Sequence, residues 1–532
     1  MSDVAQSVWT PSGGETARVW PVRLVIGGLG IAAAGAYAAT LVATDGEPLL
    51  VAPLIGALVG LAVFARPLIG LYMLFGLAIL LEQWEISGLS PLTAQTHFFQ
   101  NISGFSNVPL RLSACDLLAL MTLASWTLRR LVAANAPMRT GPFAWGIASY
   151  GMAFVLGTAI GIARGGSWDE ITTLAEARGP FYLCLLYFLT ANLIHDRRQV
   201  FSLLWAFVLV VTVKSVQAIG NYFIMTAGPY RLEAVTSHED VVFFDIAVAL
   251  LIVMTALRVR GRLFYVLLAV QPLVLTAELL TQRRVAFVAL AAVLAVVALM
   301  VFLDRPRLTA FVVAFSIFGF AVYAVAFWDR GGPMAEPIRV IRDVVDPYSV
   351  SDRDRLSNVW RDIENANISY TVRQLPLTGV GLGQEYLFQQ EPPPLTSFVY
   401  WRYMAHNAVL WLWLKAGPFG ALAFWFLVAQ VVMRGLWLYR RLDDSMLRVA
   451  ASFPVMLMVA QVVFSSVDLG LTYNRTMIVL GVSLGLAAPL ASWSALTTGL
   501  ERAKRLHVTN TRNPTSPWGS PAPTGGLPTV HV

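Results

Sequence analysis

Apolar runs long enough to cross a lipid bilayer recur along nearly the whole chain, and no other feature restricts its fold as much. They fall at 24–43, 49–65, 67–81, 113–128, 142–163, 179–194, 200–225, 241–257, 263–281, 285–303, 308–328, 404–432, 446–468 and 473–492. A helix needs about 20 mostly apolar residues to span the hydrocarbon core. Only 13% of the 532 residues are charged while 57% are hydrophobic, and mean hydropathy is +0.65. That is too little charge to clothe a water-soluble surface. The expectation is an all-α polytopic membrane protein with about fourteen transmembrane helices, bounded by a segment 1–23 and a tail 493–532. The second and third runs are short, separated by Arg66-Pro67, and also fit a re-entrant pair. The polar stretch up to Pro21 predicts no cleavable signal peptide.

Lys and Arg in the short connections set the orientation. Alternate connections carry fifteen, among them Arg129, Arg130, Arg258, Arg305, Arg440 and Arg448; the other set, without the longest loop, carries seven. The richer set is expected in the cytoplasm, and so are both termini. The net charge of +7 therefore reports topology, and no nucleic-acid partner is expected. The Pro-rich tail is expected to be disordered. Cys115 and Cys184 both lie in apolar runs, without CxxC spacing, which predicts neither a disulfide framework nor a thiolate metal site.

The longest connection, 329–403, then lies outside the cytoplasm. It is too charged for a membrane segment and too patterned for a linker. Leu356, Val359, Trp360 and Ile363 follow the i, i+3, i+4, i+7 spacing of an amphipathic helix, flanked by Arg353, Arg355 and Arg361. Such a helix would lie on the bilayer surface under a basic face. Gly379, Gly381 and Gly383 mark a tight turn. Asp352 and Asp354 alternate with arginines, so a surface charge network is favoured over a metal site.

Ionisable residues inside membrane segments are costly and become functional candidates. Asp116 and Asp245 sit near the outer ends of their runs, Asp245 just after His238-Glu239-Asp240. Arg283 and Arg284 occupy an outer hinge, and His406-Asn407 opens the run after the long loop. Lys214 lies mid-run, where pairing with Asp245 is a plain structural alternative. Distant segments thus deliver polar groups to one membrane face.

Three segments sharpen this picture. Leu377–Gly383 (Leu-Thr-Gly-Val-Gly-Leu-Gly), Met404–Leu410 with its His-Asn pair, and Gly417-Pro-Phe-Gly420 together resemble the C-terminal signature of the O-antigen ligase and O-antigen polymerase superfamily of bacterial membrane glycosyltransferases. Gln282-Arg-Arg-Val resembles the run in which that family's arginine starts a span; Arg284 fits best and Arg283 also fits. Arg355 ahead of Trp360 is similar to the family's second arginine, with Arg353 and Arg361 as alternatives. Gln282 stands where a small residue is usual, and Lys415 where an acidic one is common.

The resemblance implies polymerisation or ligation of a lipid-diphosphate-linked, undecaprenyl-type oligosaccharide onto an acceptor hydroxyl at the outer face of the bacterial cytoplasmic membrane. The partners would be that donor, membrane lipid, and a glycan, lipid or protein acceptor. Guanidinium groups suit a departing diphosphate, since they stay charged and bond in bidentate fashion. Imidazole titrates near neutrality and suits removal of the acceptor proton. The roles expected are diphosphate binding by Arg284 and Arg355 and general base for His406, with inversion at the anomeric carbon. Asn407, the three glycines, Lys214 and Asp245 would support them. Neither cofactor nor metal is expected. The competing expectation is a transporter or flippase with Lys214, Asp245 and Asp116 along its path.

Overall fold

A computed structural model describes residues 35–39, 48–84, 91–106, 108–132, 138–226, 235–346, 352–395 and 398–495, excluding the side chains of 48–52 and 352–353. The first expected span, most of the N-terminal segment and the tail beyond 495 lie outside these residues. The described residues are helical throughout, apart from loops and one bridge between Asn101 and Ser113.

A first unit ends at Arg66 and contains α1, Pro48–Ala65. The second unit begins at Pro67. It holds α2 (Pro67–Leu80), α3 (Ala114–Val132), α4 (Ala144–Arg164), α5 (Glu170–Leu193), α6 (Arg197–Thr226), α7 (Asp240–Ala256), α8 (Arg262–Leu280), α9 (Arg284–Phe302) and α10 (Pro306–Phe327). The long connection contributes α11 (Glu336–Val345) and α12 (Asp352–Gln374); α13 (Ala408–Arg441), α14 (Ser445–Ser465) and α15 (Asn474–Gly485) follow. A helix covers each expected span from 49–65 onward. Eight of them are long and apolar enough to cross a membrane among the described residues, with the last running on to Ala495. This is a multi-pass membrane protein.

The bundle is built around α14 and α15, whose side chains are mostly buried. α15 packs on α5 and α2; α14 packs on α13, α9 and α7; α4 lies against α13, and α6 against α8 and α2. α10 touches α9 and otherwise exposes its apolar surface, as suits a lipid-facing helix.

Buried charge is confined by pairing, because a lone ion in a low-dielectric interior is severely disfavoured. Lys214 bonds Glu82, just past α2, and lies 3.4 Å from Asp240. It does not pair with Asp245, which instead faces Glu278 of α8, because the side chains from α2 and α7 reach Lys214 first. Arg475, counted among the topology-setting arginines, is buried: it bonds Glu239 at 2.7 Å, Asp240 at 2.5 Å, and the Ala78 and Ile79 carbonyls that end α2. A cation at a helix C-terminus meets both the dipole and the unpaired carbonyls there. Asp116 is likewise occupied, by Arg178 at 2.7 Å and by the Tyr182 hydroxyl.

The long loop is locked to the bundle by a break in α13. Pro418 has no N–H to give the carbonyl four residues back, and it pushes the preceding residue out of helical geometry. Gly417 takes φ 63°. The carbonyls so released find partners in the glycine-rich turn: Val380 N–H donates to Leu414 O at 2.7 Å and Gly381 N–H to Lys415 O at 3.1 Å. Buried Glu176 of α5 completes the joint, accepting from Gly383 N–H at 2.6 Å and the Trp411 indole at 3.0 Å, and pairing with Lys415 at 3.1 Å. Lys415, an odd residue by family habit, is thus the counter-ion of Glu176.

Gly379 has φ +65°, and an added Cβ would meet Leu414 O at 2.5 Å. We expect Gly379→Ala to destabilise the protein by about 1–3 kcal/mol, read as a lower thermal midpoint in detergent. Gly319→Ala, where a Cβ meets nothing within 4 Å, should leave the midpoint unchanged or raise it.

Candidate functional site

Below the joint, the chain returns through α12 to His406, one residue before Asn407 caps α13 by accepting from Leu410 N–H at 3.1 Å. The buried face of α12 is polar: Glu364, Asn367 and Thr371, with Ile368 among them. Asn367 and Thr371 bond the strand-like stretch 387–390, at 2.7–3.0 Å for the bonds of Asn367. Glu364 turns both oxygens to His406, one 2.9 Å from its backbone N–H and the other 3.1 Å from Nδ1. A carboxylate only accepts, so Nδ1 carries the proton and Nε2 keeps the lone pair. Trp360 packs its ring edge-on to the imidazole at 5.0 Å, and the His406 side chain remains 21% exposed.

The apolar stripe expected on α12 is split. Leu356 and Val359 near its start are exposed, Trp360 packs on His406, and the buried positions farther along, Glu364, Asn367 and Thr371, are polar.

Beside this pair lies a cavity of about 440 Å³ whose lining includes Arg283, Arg284, Asp343, Asp354, Arg361 and Asp468. α8 ends at Leu280, and Gln282 takes φ +52°, uncommon for a residue with a Cβ. This sharp hinge delivers Arg283 and Arg284 together to the cavity. Arg284 bonds Asp343 at 2.8 Å and lies 3.7 Å from Asp354. Asp354 also takes Arg339 at 3.1 Å. A guanidinium has five donors, so two carboxylates leave it capacity for an anion.

Asp468, between α14 and α15, is a residue that the sequence reading passed over. It accepts from the Tyr473 hydroxyl at 3.0 Å and lies 3.1 Å from His238 Nδ1. Burial alone would push its carboxyl up, but the His238 and His406 imidazoles facing it hold it below the ordinary carboxylate range. Asp468 therefore meets His238 and stands on the wall of the arginine cavity.

The expected residues sort as follows. His406, Arg283, Arg284 and Arg361 converge on one end of the bundle. Arg355 is exposed on α12 and is not part of the cavity lining, whereas Arg361, the alternative farther along that helix, is. The Arg353 side chain lies outside the described residues. Gly379, Gly381 and Gly383 are backbone joints and line no part of this cavity. Lys214 is buried in its own ion-pair network, away from His406.

Residues 269–425 match the family model of the O-antigen ligases. That stretch is similar to the O-antigen ligase domain. No curated protein matches the chain. The matched stretch contains the Arg283-Arg284 hinge, both loop helices, the glycine turn and His406; His238 and Asp468 lie on its flanks.

Glu364 is the contact most open to test. We expect Glu364→Leu to free the His406 amide, costing about 1.5–3 kcal/mol for hydrogen bonds to a charged group. Hydrogen exchange should then rise at 398–407 and in α12 while α14 and α15 stay protected. Unchanged exchange at 398–407 would contradict the pairing.

Proposed function

We propose that this protein is a bacterial inner-membrane glycosyltransferase that joins a lipid-diphosphate-linked oligosaccharide to an acceptor hydroxyl at the outer face, by polymerisation or ligation. The observation that carries it is the meeting of three elements at one bundle end within the stretch that matches the O-antigen ligase family: a hinge presenting two arginines, a third arginine on α12, and a histidine held by a buried carboxylate.

The chemistry follows from these groups. The acceptor oxygen attacks the anomeric carbon from the face opposite the diphosphate, forming the new C–O bond as the C–O bond to phosphate breaks. The bonding pair leaves with the lipid diphosphate, whose growing charge Arg283, Arg284 and Arg361 meet. The acceptor proton passes to His406 Nε2, and Glu364 stabilises the imidazolium that results. Inversion is the stereochemical outcome. Guanidinium groups take the charge a divalent ion would otherwise take, and Asp354 is already engaged by Arg284 and Arg339. The positive-inside bias supports a topology with 329–403 and the Arg283-Arg284 hinge outside and both termini in the cytoplasm.

A transport reading keeps one observation. Asp245 and Glu278 are buried and face each other, and their carboxyl oxygens meet no other hydrogen-bond partner among the described residues. Lys214 and Asp116, however, sit in closed ion pairs and offer no path.

Replacing His406 with Ala should lower glycan transfer by about 10²–10⁴-fold, the range for loss of a general base, with the folded yield unchanged. Arg284→Ala should lower it by about 10²-fold or more. Transfer is scored on glycan gels of a complemented deletion strain. Full-length glycan from both variants would overturn the reading. In the deletion strain, single units without long chains would mark a polymerase, and accumulated lipid-linked chains a ligase.

A further inference from the structure

A second cavity of about 250 Å³ lies at the same end of the bundle, its lining including Tyr400 and Met404 just ahead of His406 in the chain. It is smaller than the roughly 300–1,000 Å³ of drug-sized sites and suits one sugar unit. Its lining combines aromatic faces with side-chain amides: Trp84 and Tyr400, then Gln83, Gln100, Asn101 and Asn474. Trp84 lies 6.0 Å from Tyr400 and 6.1 Å from Phe398, and Phe398 lies 6.3 Å from His406. One aromatic wall therefore runs from this cleft to the proposed base. The segment 466–474 joins the two cavities, with Asp468 lining the arginine side and Thr472 and Asn474 lining this one.

The lining is held in place. Arg178, at the cleft wall, is fixed by Asp116 at 2.7 Å and by Asn101 at 2.5 Å. Gln83 accepts from Asn474 N–H at 2.7 Å. Asn474 is buried, yet its side-chain Oδ1 has no hydrogen-bond partner among the described residues. Such an oxygen calls for a donor from a ligand, because a buried unpaired acceptor is disfavoured.

We propose that this cleft binds a pyranose unit of the glycan substrate, with the sugar's C–H face on Trp84 and its hydroxyls on the amides. The electron-rich face of an indole attracts the polarised C–H bonds of a sugar ring. An amide offers both donors and acceptors, which matches hydroxyls that do both. A lipid chain would leave the Asn474 oxygen unpaired, and a diphosphate would find one guanidinium among the described lining residues, already engaged. The proposal rests on the transferase reading for its biological setting. It would bring a sugar hydroxyl toward His406 along the aromatic wall, beside the arginine cavity.

The test uses the full chain in detergent with two kinds of probe, read by saturation-transfer NMR. The first is a panel of methyl glycosides of glucose, galactose, mannose, N-acetylglucosamine and rhamnose. The second is inorganic pyrophosphate, observed by phosphorus line broadening. At least one glycoside should receive saturation from the wild type, lose it with Trp84→Ala and keep it with Trp84→Phe. Pyrophosphate broadening should survive Trp84→Ala and vanish with Arg284→Ala. Gln100→Ala serves as the second probe of the cleft if Trp84→Ala fails to fold, and it should weaken the same glycoside signal. No glycoside signal from the wild type, or a signal indifferent to both cleft variants, overturns the sugar cleft. Glycoside binding that behaves as expected, beside pyrophosphate broadening indifferent to Arg284→Ala, leaves the cleft standing and counts against the transferase reading.

Discussion

A helix broken within a membrane must find partners for the carbonyls the break releases, since hydrocarbon supplies none. Gly417-Pro418 breaks α13, and the N–H groups of Val380 and Gly381 satisfy Leu414 and Lys415. Everything at the site hangs from that exchange. It ties the end of the long loop to the bundle, with Glu176 and Lys415 closing the joint in a buried ion pair. The chain on one side of the turn is α12, which carries Glu364; the chain on the other side returns to His406. Because both ends are anchored, the carboxylate meets the imidazole within 3.1 Å without any contact between neighbours in sequence.

Electrostatics divides the bundle end into zones. The network of Lys214, Arg475, Glu82, Glu239 and Asp240 is sealed and holds helices together. The zone around Arg283, Arg284 and Arg361 opens onto a cavity. Asp468 links His238 to that cavity, and Asn474, six residues on, opens into the aromatic cleft. A short stretch after α14 thus borders both cavities, although it lies outside the matched ligase region.

Much of this was legible in the residues alone. The helical spans follow from apolar run length, and the arginine hinge and His406 stood out as polar groups at span ends. Glu364 did not, because it sits 42 residues from His406 among charged neighbours; a polar i, i+3, i+7 register of Glu364, Asn367 and Thr371 was the available sign. Asp468 meets a histidine 230 residues away, and no local pattern announces that. Lys214 was misread for the complementary reason: helix periodicity locates a charge along a span but not which neighbour reaches it. Family spacing does not fix the rotation of α12, which is why Arg353, Arg355 and Arg361 all stayed open in the sequence.

The most direct measurement is an electron cryomicroscopy map of the protein in nanodiscs with a non-hydrolysable undecaprenyl diphosphate sugar analogue. The account predicts diphosphate density against Arg283, Arg284 and Arg361, with the anomeric carbon facing His406. Density at the opposite end of the bundle, in the cavity lined by Arg305 and Arg448, would contradict it.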